Sequence, residues 1–453
     1  WGAIVAKADK FIRHGFYGVD KTSRKATAFI PAAHYLESWG DARTSDGTLV
    51  PVQPLIAPLF GGLTELEVLA RIAGDEETDP YKIVRATFDS ISNKGNWDKF
   101  LHDGFLADSA PSTVFAEFDG DAASAAWKEG VKKINLPTRG NLEVTFFRDH
   151  CVDDGRWGNN GWLLETPNPV TRITWDNVLL VSLNTAKELL GDEANELLDF
   201  NKLDPKSMNL PGRFGFHSES GRFFQKEYEL TVNGKSVKGA IWLLPGMADH
   251  TVGVALGYGR GVGRVGGAAG FSAYDARSTG SQHFAAGAKL ESKGGKIEIA
   301  CTQEQGVMDG RPVIRECNAE DFDAHKDFVK HFDLDSIHHT THILKGDDRG
   351  YDWEDDIKDE LPKSPYRNNL NEGEEGLKNI NGPRLMDPER QQWGMVVDLT
   401  TCVGCNACVV ACQSENNIPI VGKHQVALGR EMSWMSIHRY FSGDEHNPQV
   451  TYQ

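Results

Sequence analysis

The 453-residue chain has no run of eighteen or more apolar residues. No segment can therefore cross a bilayer as an apolar helix. It also lacks an excess of basic residues, with 48 Lys and Arg against 65 Asp and Glu and a formal net charge of −17. That balance excludes the basic stripe a nucleic-acid binder needs, and no nucleic-acid partner is expected. No secretory signal pattern opens the sequence. The chain begins at Trp1 and ends at Gln453 inside a strand-like run, and a longer parent polypeptide is expected. No fixed-period repeat is present.

Cysteine is sparse except in one place. Of seven, Cys151, Cys301 and Cys317 are scattered, while Cys402, Cys405, Cys408 and Cys412 fall within eleven residues. An even spread would suggest disulfides; a cluster suggests a metal or iron–sulfur site. The rest of the composition is ordinary, with 40% apolar and 25% charged residues, enough to bury a core. The length suggests two to three domains of roughly 150 residues. The 47 glycines favour β-rich and loop-rich architecture over a helical bundle.

The expected fold class is α+β and multidomain. In residues 1–141, Thr64-x-x-Glu67 is a capping box that opens a helix with Leu66, Leu69 and Ile72 on its apolar face, closed by Gly74. A second helical pattern covers 121–132. Residues 142–345 change to short β runs with turn signals. Tyr228–Val232 alternates, Asn233-Gly234 turns, and 236–244 returns, the strongest short hairpin signal. Thr251–Leu256 and Lys296–Ala300 are further strands, and a helix near Thr185–Leu190 could be capped through Thr185-x-x-Glu188. A β-barrel-like domain fits this region. Residues 346–392 are acidic and turn-rich and read as an extended connector. A new unit, 393–453, carries the cysteine run.

Cys402-x2-Cys405-x2-Cys408-x3-Cys412 is the most specific signal. Thiolates at these spacings place three sulfurs around one cubane, and the fourth can serve a neighbouring cluster. Cys412 lies one helical turn beyond Cys408 and can face away from the first cluster. Gln413 stands where ferredoxins carry proline. Structural zinc is the alternative, although it more usually uses two separated Cys-x2-Cys pairs. Asp398 and Glu415 would lower a cluster potential unless solvent screens them.

Other motifs read as structural. Gly261-x-Gly263-x-x-Gly266 matches a dinucleotide pattern, but no helix opens there and no acidic ribose partner follows, so a close-packed loop is expected. His338, His339 and His342 read as a polar loop, since no carboxylate stands at a metal-ligand offset. Cys151, Cys301 and Cys317 read as buried thiols. A Cys301–Cys317 disulfide is a further option in an oxidising compartment. Trp39, Trp157, Trp162, Trp175, Trp393 and Trp434 read as packing residues rather than electron relays.

Two resemblances then meet. Pro31-Ala32-Ala33-His34-Tyr35-Leu36-Glu37-Ser38-Trp39-Gly40-Asp41 and Gln53-Pro54-Leu55-Ile56-Ala57-Pro58 resemble the molybdopterin oxidoreductase superfamily. Asn159-Asn160-Gly161-Trp162-Leu163-Leu164-Glu165 and Val170-Thr171-Arg172-Ile173-Thr174-Trp175-Asp176-Asn177 continue that likeness. So do Gly257-Tyr258-Gly259-Arg260 and Gly270-Phe271-Ser272-Ala273-Tyr274, where that family has a β-barrel domain. Asp398–Pro419, with Glu415-Asn416-Asn417-Ile418-Pro419 after the last cysteine, resembles four-cluster ferredoxin-like subunits. Fused in this order, the two parts resemble the iron–sulfur subunit of bacterial alternative complex III.

That resemblance implies a non-catalytic electron-transfer subunit of a membrane-bound respiratory complex, passing electrons from quinol to c-type haems. Cys402, Cys405 and Cys408 would hold one cluster and Cys412 would ligate its neighbour. It also implies three 4Fe–4S clusters and one 3Fe–4S cluster in the full-length chain, and no molybdenum cofactor. Implied partners are integral-membrane quinol-oxidising subunits, multihaem and monohaem cytochrome c subunits, and a terminal oxidase as a further candidate. The implied location is the periplasmic face of the bacterial inner membrane, held there by partners. The alternative is a catalytic molybdopterin oxidoreductase of the sulfur-compound reductase type with a fused iron–sulfur module.

Overall fold

The computed structural model describes residues 2–132, 136–191, 198–200, 211–214, 217–219, 222–303, 305–308, 314, 322–323, 395, 397–443 and 447–453. The expected acidic connector 346–392, the three histidines at 338, 339 and 342, Cys317 and Trp393 lie outside the described residues. The chain is α+β and divides into two compact units. The first comprises residues 1–136 with 260–268, and the second 137–259 with 269–453.

The first unit holds α1 (Gly2–Val5), β1 (Ile12–Gly15), β2 (Ala28–Pro31), β3 (Gly40–Arg43), β4 (Leu49–Val52), α2 (Glu65–Ala73), α3 (Pro80–Ser92), α4 (Trp97–Asp103) and α5 (Gly120–Val131). Its strands form two small ladders, β1 parallel to β2 and β3 antiparallel to β4. Leu49, Val84, Phe88, Trp97 and Phe100 make a core, with Trp39 packed against it. The capping box at Thr64 and Glu67 is formed, and Gly74 closes α2 at φ 81°. The expected apolar face is only partly used. Leu66 packs on the core, whereas Leu69 and Ile72 are exposed. With two turns of helix, only the stripe running through Leu66 and Ala70 meets the core.

The second unit is built on a closed barrel. Its strands are β5 (Leu142–Phe147), β6 (Ile173–Thr174), β7 (Leu179–Val181), β8 (Leu198–Phe200), β9 (Pro211–Phe214), β10 (His217–Glu219), β11 (Arg222–Val232), β12 (Lys235–Leu243), β13 (Thr251–Ala255), β14 (Phe284–Glu298) and β15 (Ala300–Cys301). The sheet runs β10-β11-β12-β7-β13-β5-β14, and β14 pairs back onto β11, so six strands close and β10 is an appendage. Closure removes the exposed edges. Asn233 and Gly234 both take positive φ, 54° and 71°, as a type I′ hairpin turn requires. Alternate residues, Leu142, Val144 and Phe146, Leu179 and Val181, Val252 and Val254, fill the interior.

The helix near 185 is α7 (Leu183–Leu190), following α6 (Gly161–Glu165) in the chain. Its cap differs from expectation: Ser182 Oγ accepts from Thr185 N, while the Thr185 side chain is buried and accepts from His250 N. Glu188 bonds His250 instead of capping. The glycine loop packs tightly, as its composition suggested. A Cβ on Gly259 would stand 2.0 Å from Ser272 N. Only a 3-10 turn, Gly266–Ala268, follows the dinucleotide-like pattern.

From Ala240 to Leu243, β12 is apolar and buried on both faces. Ala240 and Trp242 point outward into a second core with Ile173, Val178, Ile299, Cys301, Val307 and Phe441. Phe441 lies on β16 (Arg439–Gly443), which pairs with β17 (Pro448–Tyr452). Between barrel and hairpin run α8 (Ala407–Glu415) and α9 (Lys423–Ala427). The barrel's outer face therefore carries the cysteine-bearing segment. Among the described residues no helix is long and apolar enough to cross a membrane.

Candidate metal centre

The four clustered cysteines occupy one loop and the helix after it. Asp398 starts the loop as an Asx turn, accepting from Thr400 N at 3.0 Å and Thr400 Oγ1 at 2.6 Å. Those bonds hold its carboxyl below the usual carboxylate range, the Thr400 hydroxyl contributing most. Gly404, at φ 64°, reverses the chain, and its amide donates to Cys402 Sγ at 3.5 Å. Asn406, at φ 59°, begins α8 without capping it, because its side-chain amide donates to Pro167 O at 2.8 Å. Cys408 lies in the first turn of α8 and Cys412 one turn later. Asn416 Nδ2 approaches Cys412 Sγ at 3.7 Å. All four thiols are free, Cys405 and Cys408 exposed, Cys402 and Cys412 half-buried.

Among the described residues no three His, Cys, Asp or Glu side chains are grouped to hold one metal ion. A cubane asks for something else, since each thiolate bonds its own iron and the sulfurs need not converge. Two features suit such a group. N–H donors reach two of the sulfurs, the kind of contact that tunes cluster potentials. Gly404 also leaves its α-carbon against the Tyr452 ring, where a Cβ would sit 2.1 Å from Cε1.

The loop is fastened to the barrel unit through Trp162, Glu165, Val170 and Asp176, which lie in stretches that carried the family resemblance, and through His150 and Gln303, which the sequence reading did not single out. His150 Nε2 bonds Cys405 O at 2.8 Å. Trp162 Nε1 donates to Ile418 O at 2.7 Å. The Glu165 carboxylate accepts from Val421 N at 3.0 Å and Gly422 N at 2.8 Å. Lys423 pairs with Asp176 at 2.6 Å. Burial pushes the Asp176 carboxyl up to about 6, against the pull of the Lys423 ammonium. Arg439 donates from Nε to Val170 O at 2.8 Å, and burial lowers it to about 10. Gln303 clasps the Arg439 backbone, accepting from its N at 2.8 Å and donating to its O at 2.6 Å.

The remaining candidates stay apart from this site. Cys301 is buried, 7% exposed, and donates to Gln303 O at 3.2 Å. Cys151 is half-buried, its thiol pushed up to about 12 by burial and then by Asp149. Trp175 is buried as a packing residue, while Trp434 is 72% exposed and packs into no core.

No family model matches the chain. Over 52 residues it is 42% identical to the menaquinone reductase iron–sulfur cluster-binding subunit of Nitratidesulfovibrio vulgaris, covering 12% of this chain and 20% of that protein. Over 28 residues it is 64% identical to a subunit of the selenate reductase of Mesobacillus selenatarsenatis, covering 6% of this chain and 10% of that protein. The chain thus spans a fifth or less of the curated relatives it matches. Among solved structures, acetylene hydratase from Pelobacter acetylenicus aligns over 56% of this chain and 34% of its own, at 14% identity and a TM-score of 0.36. Both curated relatives are reductase subunits, the first an iron–sulfur one. Over the matched stretches the chain is similar to these two subunits of redox enzymes.

Proposed function

We propose that the chain is a non-catalytic electron-transfer subunit of a membrane-associated quinol-oxidising respiratory complex. Cys402, Cys405 and Cys408 hold one 4Fe–4S cluster, and Cys412 ligates a neighbouring one. The observation that carries this reading is the set of four free thiols on one loop and helix, with backbone and Asn416 N–H groups aimed at sulfur. A bound cluster accepts and releases one electron at a time. The chain's own residues fix its place: His150, Trp162 and Glu165 anchor the loop and helix, and Gly404 and Tyr452 close it against the hairpin.

The donor in this reading is quinol oxidised in integral-membrane partners, and the acceptors are multihaem and monohaem cytochrome c subunits, with a terminal oxidase beyond them. Three 4Fe–4S clusters and one 3Fe–4S cluster serve the full-length chain, without molybdenum. The protein resides on the periplasmic face of the inner membrane, bound through its partners. A membrane-impermeant reagent should label it in intact spheroplasts; labelling only after lysis would contradict that side.

The purified complex should contain iron and acid-labile sulfide, with reducible EPR signals. Cys405→Ser should remove or convert one of those signals. Stoichiometric zinc at these thiolates would sink the cluster reading. One molybdenum atom per chain would replace it with a catalytic molybdopterin enzyme carrying a fused electron-transfer module.

A further inference from the structure

Arg172 stands between Thr171 and Ile173 at φ 61°, a conformation L-residues rarely keep without compensation. Its backbone is held there, because its carbonyl accepts from Thr302 N at 3.0 Å and Thr302 Oγ1 at 3.3 Å. The residue is 2% exposed. Its Nε and Nη1 make no hydrogen bond. Arginine starts so far above neutral pH that it keeps its charge even though burial lowers its proton affinity. A guanidinium buried with two of its nitrogens unbonded is costly, so something in its surroundings must favour it.

Arg172 lines a cavity of about 30 Å3 with Glu165, Asn406, Gln413, Glu431 and His438. Asn406 Oδ1 and Gln413 Oε1 are also buried without partners. Two orphan donors and two orphan acceptors around such a space match the needs of ordered water, which accepts and donates at once. Asn406 follows Cys405 in the chain and Gln413 follows Cys412, so the cavity lies against the helix that carries the second half of the cysteine run. Tyr452, packed on Gly404, feels the charge of both Arg172 and Cys402.

We propose that Arg172 is the fixed positive charge that raises the reduction potential of the cluster held on Cys402, Cys405 and Cys408. This rests on the cluster reading above. Reduction adds negative charge to a group already surrounded by thiolates, and a nearby cation in a poorly polarisable interior favours that state. Arg172 acts through the field, touching no ligand, and is a positioning residue.

The test is an EPR-monitored redox titration of the intact complex at pH 8, following the signal that Cys405→Ser removes. In Arg172→Gln the ratio of reduced to oxidised cluster at fixed ambient potential should fall tenfold or more, about 59 mV for one electron. Arg172→Lys should restore most of the wild-type value. Glu431→Gln, which removes a carboxylate facing the same cavity, should shift the potential upward. Iron content equal to wild type is required in each variant. If Arg172→Gln loses iron or does not fold, Glu431→Gln decides. A wild-type potential in Glu431→Gln, together with a wild-type potential in Arg172→Gln wherever that variant holds iron, overturns the proposal while leaving the cluster reading intact. A wild-type complex without any cluster signal overturns both.

Discussion

Gly404 has no room for a side chain and no freedom to make some. Its φ of 64° is costly for any residue with a Cβ, and that Cβ would overlap the Tyr452 ring. Gly404→Ala should strain the loop by about 1–3 kcal/mol and push Cys402 and Cys405 out of register. Iron and labile sulfide per chain should fall, while the barrel's circular dichroism stays unchanged. Normal cluster content would show that the loop tolerates the shift and that Gly404 does not set the geometry.

At the scale of elements, two short helices hold the cysteine segment in place. α6 is capped by Asn160, whose side chain accepts from Leu163 N. It thereby presents Trp162 and Glu165 on the side that meets the strand-like stretch after α8. Glu165 serves two backbone amides at once. Glu165→Ala would leave both without an acceptor, a loss of roughly 1.5–3 kcal/mol for each charge-assisted bond. Hydrogen exchange at Val421 and Gly422 should accelerate, with β5 and β13 amides unaffected. Unchanged exchange at 421 and 422 would mean that the Glu165 carboxylate does not protect those amides.

At the scale of the whole second unit, the barrel and the cysteine segment share an ionisable pair whose energetics depend on pH. Asp176 has a folded-state carboxyl near 6, above its unfolded value of 3.8. Between those values the folded form binds more protons than the unfolded form. Stability from this group is therefore highest at low pH and declines as pH rises from about 4 to about 6. A shift of this size corresponds to about 3 kcal/mol. In Asp176→Asn that part of the slope should vanish in denaturant titrations stepped across the same range. An unaltered slope would show that Asp176 is ionised normally and that Lys423 compensates its burial.

Some of this protein follows from rules that reach only a few residues. The Thr64 box, the Asn-Gly turn and the loop-to-helix course of the cysteine run depend on local hydrogen bonds, positive φ and spacing. Each is legible because cause and effect lie within one turn of chain. The same rules misjudged the outer face of α2 and the cap of α7. In both, tertiary packing chose among residues of similar local preference.

The fastening of the cysteine loop was not legible, although Trp162, Glu165 and Asp176 lay in stretches already singled out. His150 and Cys405 lie 255 positions apart, and Glu165 and Val421 lie 256 apart. No spacing rule connects such pairs. By itself, the sequence determined that four thiols would share one loop and helix and that a barrel would precede them. Only the tertiary structure decided that the second half of β12 would be buried on both faces. What covers its outer side is Phe441 with the β16–β17 hairpin. The fold also decided that an arginine would be enclosed beneath the cysteine loop. The physical reason is that burial and electrostatics depend on which surfaces the closed barrel leaves to be covered, and closure brings together residues that local patterns treat separately.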